Sequence, residues 1–288
     1  MKLYHASAFS SSGKGGNPAG VAICSQPLSD DEMLSKAREL GYSETVFLYQ
    51  LNGAWRVRYF APEIEVPFCG HATVAAGVVL GLNYGAGTYQ LLTNFAQVPV
   101  TAYKPGENWM ARFVSPNTHS ELMEAKTLQR FYDCFGIRNQ ELDASLPSRL
   151  IHAGANHVLI ALNSRRRLSH IGYAFEELLA LQKELRLATV NLVYRESGEL
   201  FHCRNPFAVG GVYEDPATGA AAAALAGYLR ELGIKKSGAL RVIQGEDMGK
   251  RSEIFVDYET TPGSGVGIAG EVVVRGEVEL EAQLAAVD

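Results

Sequence analysis

A carboxylate at Glu44, the run Cys69-Gly70-His71-Ala72-Thr73 and the run Asp215-Pro216-Ala217-Thr218-Gly219-Ala220 hold the residue types from which proton-transfer chemistry is built. Glu44 stands directly before the strand-forming residues Thr45, Val46 and Phe47. If its carboxyl sits at the mouth of that strand, partial desolvation would raise its pKa toward neutrality, which suits a proton shuttle. The other two runs open helices. A helix start exposes unpaired N–H groups and a partial positive charge, and both hold a carboxylate. Each residue also has a plainer reading. Glu44 could be a solvated turn residue, and Asp215-Pro216 could be an ordinary N-cap followed by proline at the first helical position. Cys69 could be a buried apolar thiol, and His71 a capping or packing residue.

The elements that must position these residues follow from local pattern. Lys2 to Phe9 reads as a strand, Ser10 to Gly16 as a loop, and a short strand then runs to Cys24. Ser29-Asp30-Asp31-Glu32 has the form of a capping box and opens a helix to about Leu40, closed by Gly41 in the left-handed region. Thr45 to Leu51 and Trp55 to Phe60 form a hairpin around Asn52-Gly53, which favours a type I′ turn. After the loop Ala61 to Gly70, a helix of small residues covers His71 to Leu82. Strands follow near Thr88 to Leu92, Val98 to Tyr103 and Trp109 to Val114.

The second half repeats this order at an offset of roughly 145 residues, and self-similarity at a long period reports duplication. His5-Ala6 matches His152-Ala153, and the first helix is echoed by Phe175 to Leu185. Val46 to Tyr49 lies beside Asn191 to Tyr194, and His71 to Leu82 beside Thr218 to Leu232. Helices this poor in large or charged side chains allow close approach by surrounding backbone. The expected fold is α+β: two pseudo-symmetric domains, 1–115 and 116–288, each a barrel-like, mostly antiparallel sheet around a central helix. The two helix starts become equivalent positions facing a cleft between the halves, where the chemistry is expected. Glu44 breaks the duplication, since Thr189 or Val190 fills its place in the second half.

Composition narrows the partners. The chain is 47% hydrophobic and 20% charged with a net charge of -5, which fits a globular protein with a real core. Arg165-Arg166-Arg167 is its only basic cluster, so nucleic acid is not expected as a partner. Its longest apolar stretch, Ala220 to Leu229, is far short of a bilayer span, so no membrane partner is expected. Four dispersed cysteines with no CxxC pair and no secretory segment point to the cytoplasm. Cys69-Gly70-His71 lacks the usual zinc-ligand spacing, and Gly13-Lys14-Gly15-Gly16 lacks a dinucleotide-binding context, so neither a metal nor an organic cofactor is expected.

Taken in order, Gly16-Asn17-Pro18, Ser43-Glu44-Thr45-Val46-Phe47, Arg58-Tyr59-Phe60 with Pro62 and Glu65, Cys69 to Thr73, Glu214 to Gly219 and Gln244-Gly245 make the chain resemble the PhzF-like (phenazine biosynthesis) proteins, relatives of diaminopimelate epimerase. The resemblance covers nearly the whole chain. It implies a diaminopimelate epimerase-like fold, usually a homodimer, and a cofactor-independent isomerase acting on a small carboxylic acid. It implies Glu44 as general acid/base, with His71 and Asp215 binding and polarising substrate. Asn17, Ser43, Gly70, Thr73, Thr218, Gly219 and Ala220 would line the substrate. The related epimerases use two facing cysteines, whereas Asp215 to Gly219 holds no second thiol, which disfavours a two-cysteine racemase. Ala220 stands where the family often has serine, so one hydroxyl contact is absent. A non-enzymatic binding or scaffold protein on the same fold is the alternative from another class.

Overall fold

The computed structural model describes residues 1–279, and internal contacts divide the chain into two units. The first comprises Met1–Gly13, Asn17–Phe113 and the described residues from Gly270 to Glu279; the second comprises Lys14–Gly16 and Val114–Ala269. This differs from a single break after residue 115. The last strand returns to the first unit, because its residues from Glu271 on pair with the opening strand of the chain.

The first unit holds β1 (Lys2–Ser10), β2 (Asn17–Ile23), α1 (Asp30–Leu40), β3 (Thr45–Leu51), β4 (Ala54–Phe60), the two-residue β5 (Glu65–Val66), α2 (Gly70–Tyr84), β6 (Gly87–Leu92), β7 (Gln97–Tyr103) and β8 (Met110–Val114). In the second lie β9 (His119–Glu121), α3 (Ala125–Cys134), β10 (Arg149–His152), β11 (Asn156–Leu162), α4 (Arg165–Ser169), α5 (Phe175–Leu185), β12 (Thr189–Arg195), β13 (Leu200–Phe207), β14 (Val212–Asp215), α6 (Gly219–Glu231), β15 (Gly238–Gln244) and β16 (Ser252–Tyr258). The last strand, β17 (Gly267–Glu279), begins there. Among the described residues no helix is long and apolar enough to cross a membrane.

In the first unit β1, β2, β3, β4, β6, β7, β8 and β17 pair in sequence, and β17 returns to β1 to close a ring. β1 with β2 and β17, β3 with β4, β6 with β7 and β7 with β8 are antiparallel, whereas β2 with β3 and β4 with β6 are parallel, the two places where a helix makes the crossover. The second unit repeats the scheme: β11 runs parallel to β12 across α5, and β13 parallel to β15 across α6. Matching α1 to α5 and α2 to α6 makes each unit one copy of a duplicated fold.

Each sheet wraps its small-residue helix: α2 packs on β1, β2, β3, β6 and β7, and α6 on β9, β10, β11 and β16. His71 to Gly81 of α2 are all buried, and so are Ala221 to Arg230 of α6. Each fully buried Val or Leu on such a helix contributes about 1.5–3 kcal/mol. Small residues are required by distance. A Cβ on Gly77 would lie 2.7 Å from Val100 Cγ2 and 2.8 Å from Ala111 Cβ, and one on Gly227 would lie 2.4 Å from the Thr118 side chain. A methyl group at Gly77 would push β7 and β8 off the helix, and one at Gly227 would displace Thr118, each at a cost of about 1–3 kcal/mol.

Candidate active site

Glu44 is held at the end of a pinned turn. Ser29 and Glu32 cap the start of α1 reciprocally, and Gly41 ends it in the left-handed region at φ 65°. Tyr42 then meets His5 Nδ1 through its hydroxyl at 2.8 Å, and the Gly20 amide donates to the Glu44 carbonyl at 3.3 Å. The chain enters β3 at Thr45, opposite Gly20. In the second unit Thr189 opens β12 in the same way, opposite His157. Thr45 and Thr189 are each the first residue of their strand, preceded by Glu44 in one unit and by Ala188 in the other. One unit carries a carboxylate there and the other a methyl group.

Cys69 and His71 come from the start of α2, and both are buried. The thiol sulfur lies 3.2 Å from His71 Nδ1, while Nε2 lies 3.5 Å from Glu44 Oε2. That second separation exceeds the 2.7–3.2 Å of an ordinary N–H···O bond, so the carboxylate is near the ring without being tied to it. With Glu44 ionised, Nε2 carries the hydrogen that faces it and Nδ1 offers its lone pair to the thiol. The first-turn amides of α2 add a partial positive charge.

Donor atoms of Glu44, Cys69 and His71 lie within 4.8 Å of one another, close enough in principle to share a cation. Their arrangement is poor for it. The sulfur is nearer Nδ1 and the carboxylate faces Nε2, so one ion could reach both only after the imidazole turned.

Thr73 is fully buried, and its hydroxyl donates to the Cys69 carbonyl at 2.7 Å. A hydroxyl has one hydrogen, so the Tyr59 hydroxyl, 2.7 Å away, must donate to Thr73. Burial pushes the Tyr59 pKa up and keeps that proton in place. Thr73 thus braces the helix start from within. Asn17 is buried at the first residue of β2, Ser43 is exposed and Gly70 is partly exposed beside Cys69.

The second unit builds its own group at the start of α6. Asp215 ends β14 opposite Asn205 of β13. The Thr218 hydroxyl donates to Asp215 Oδ2 at 2.5 Å and is engaged within the turn. Gly219 is buried at the first position of α6, with Ala220 partly exposed next to it. Two supports hold the turn, and neither was expected as part of the site. Gln244 bonds to both ends of it. Arg204 and Glu214 form a buried bidentate pair beside Asp215, with the guanidinium also serving the carbonyls of Leu168 and Ile171.

The family described as Phenazine biosynthesis-like protein matches residues 6–277. The chain belongs to that family. A Clostridium acetobutylicum relative named as an uncharacterized isomerase is 27% identical, over 96% of this chain and 97% of its own. Among solved structures, the Bacillus anthracis phenazine biosynthesis protein of the PhzF family superposes with a TM-score of 0.85 at 23% identity, covering 98% of this chain and 99% of that one. A probable proline racemase from Agrobacterium radiobacter K84 gives a TM-score of 0.65 at 13% identity, covering 99% and 94%. These two likenesses establish a fold shared with the racemases: two pseudo-symmetric, mostly antiparallel barrels, each around a central helix.

Proposed function

We propose that the chain is an isomerase that moves a proton on a small carboxylic-acid substrate, with Glu44 as general acid/base. The observation that carries this is the Glu44 carboxylate beside His71 at the amino end of α2, close to a donor yet not tied up by it. An ionised carboxylate so placed can take a proton from carbon, and once protonated can return it to the same skeleton. His71 would polarise the acidified group through Nε2. By the family resemblance Asp215 would serve as an acceptor, and the first-turn amides at Gly219 and Gly70 as anion holds. The naming of full-length relatives as isomerases supports the reaction class.

Only side chains and helix termini take part, and no step draws on a metal or organic cofactor. A two-cysteine racemisation is the less favoured chemistry, since the run from Asp215 to Ala220 offers no thiol to oppose Cys69. Incubating the enzyme in D₂O with a panel of small amino, hydroxy and unsaturated carboxylic acids tests the proposal. Enzyme-dependent deuterium uptake into at least one acid is expected. Ligand binding without exchange across the panel would favour a binding protein instead.

A further inference from the structure

Gln244 and Gly245 close β15, a strand held between β13 and β16, and the chemistry above assigns them no role. The Gln244 side chain is 1% exposed and meets three atoms of the turn that carries Asp215. Its Oε1 accepts the Thr218 amide at 3.1 Å, while Nε2 donates to the Asp215 carbonyl at 2.7 Å and to Thr218 Oγ1 at 3.0 Å. These partners fix the amide's orientation, because a backbone N–H can only donate and a carbonyl can only accept.

A directional consequence follows at Thr218. Its oxygen receives a hydrogen from Gln244, so its own single hydrogen goes to Asp215 Oδ2. At 2.5 Å this has the length of a hydroxyl–carboxylate bond, the strong charge-assisted kind. Gly245 makes the approach possible. Its φ is +73°, and a Cβ there would lie 2.4 Å from the Lys250 carbonyl oxygen and 2.9 Å from that of Pro216. Any side chain would lift the end of β15 off the Asp215–Thr218 turn.

We propose that Gln244 is a positioning residue for the isomerisation: its amide sets the direction of the Thr218 hydroxyl and so holds Asp215 as an ionised hydrogen-bond acceptor. This rests on Asp215 taking part in the reaction. Removing the amide frees the Thr218 hydroxyl to rotate away, and a carboxylate that loses a donor to its charged form becomes easier to protonate.

The test is a carbon NMR titration of the Asp215 carboxyl, assigned with Asp215→Asn, in wild type, Gln244→Met, Thr218→Val and the double variant, with no ligand present. The midpoint should move upward in both single variants. The double variant should move no further than Thr218→Val, since both act through one hydroxyl. Gln244→Glu keeps the shape but replaces the donor with an acceptor, and it serves if Gln244→Met does not fold. On the panel acid that wild type exchanges fastest, kcat should fall about 10- to 100-fold with little change in KM. An unmoved titration, or additive shifts, would remove Gln244 from the role. A moved titration with unchanged kcat would also overturn the proposal, by removing Asp215 from the reaction while leaving Glu44 as acid/base untouched.

Discussion

Nε2 of His71 lies 3.5 Å from Oε2 of Glu44, while the other ring nitrogen faces the Cys69 thiol. The imidazole thus has a different neighbour on each edge, and the two are not interchangeable. An ordinary carboxylate is in its basic form at neutral pH, whereas an ordinary thiol, with a pKa near 8.5, is mostly protonated there unless its environment lowers that value.

Cys69→Ser should therefore keep activity within about tenfold of wild type, because a serine hydroxyl can still meet Nδ1 and the carboxylate is untouched. Steady-state exchange rates on the accepted acid check this. A loss as large as that from removing Glu44 would show that the thiol carries a proton itself.

Arg204→Met should destabilise the protein by about 3–5 kcal/mol, because it leaves the buried Glu214 carboxylate without its cation. Two loop carbonyls, of Leu168 and Ile171, lose their donor as well. Changing both partners, Arg204→Met with Glu214→Leu, should recover part of that loss. Urea unfolding of the three proteins measures it, and a single variant costing under about 1 kcal/mol would contradict the buried-pair assignment.

Much of this was legible in the sequence where the cause is local. Ser29 and Glu32 form the expected capping box, and Asn52 and Gly53 turn the hairpin at φ 51° and 80°. Runs of Ala, Gly and Val announced α2 and α6, because helices without a polar face have nowhere to be except inside. Residues that act at long range were not legible. Gln244 ends a strand, and the turn it holds lies 26 residues away at Thr218. The buried, doubly engaged hydroxyl of Thr73 depends on Tyr59, fourteen residues earlier. Helix α3 was also missed, although Leu128, Phe131 and Tyr132 follow helical spacing and pack on the core of the second unit.

Acid should weaken the second unit through His157. Its Nδ1 lies 2.7 Å from Thr189 Oγ1, which donates onward to Asn205, so Nδ1 holds the ring's hydrogen. Burial lowers the pKa of the ring from 6.5 to about 3. The folded state keeps the ring neutral while the unfolded chain takes up a proton below about pH 6.5, so stability falls as pH drops from there toward 3. The slope from this residue is up to about 1.4 kcal/mol per pH unit. Melting curves from pH 7 to 4.5 should show a steeper decline in wild type than in His157→Gln, and parallel curves would refute the assignment.

The most direct measurement is deuterium uptake from D₂O into an accepted acid by wild type and by Glu44→Gln, with affinity determined separately. Glutamine keeps the shape of the side chain and cannot carry the proton, and a general acid/base typically contributes about 10²- to 10⁴-fold. We expect exchange by Glu44→Gln to fall within that range while the dissociation constant of the acid stays close to wild type. Equal exchange rates in the two proteins would contradict proton transfer by Glu44.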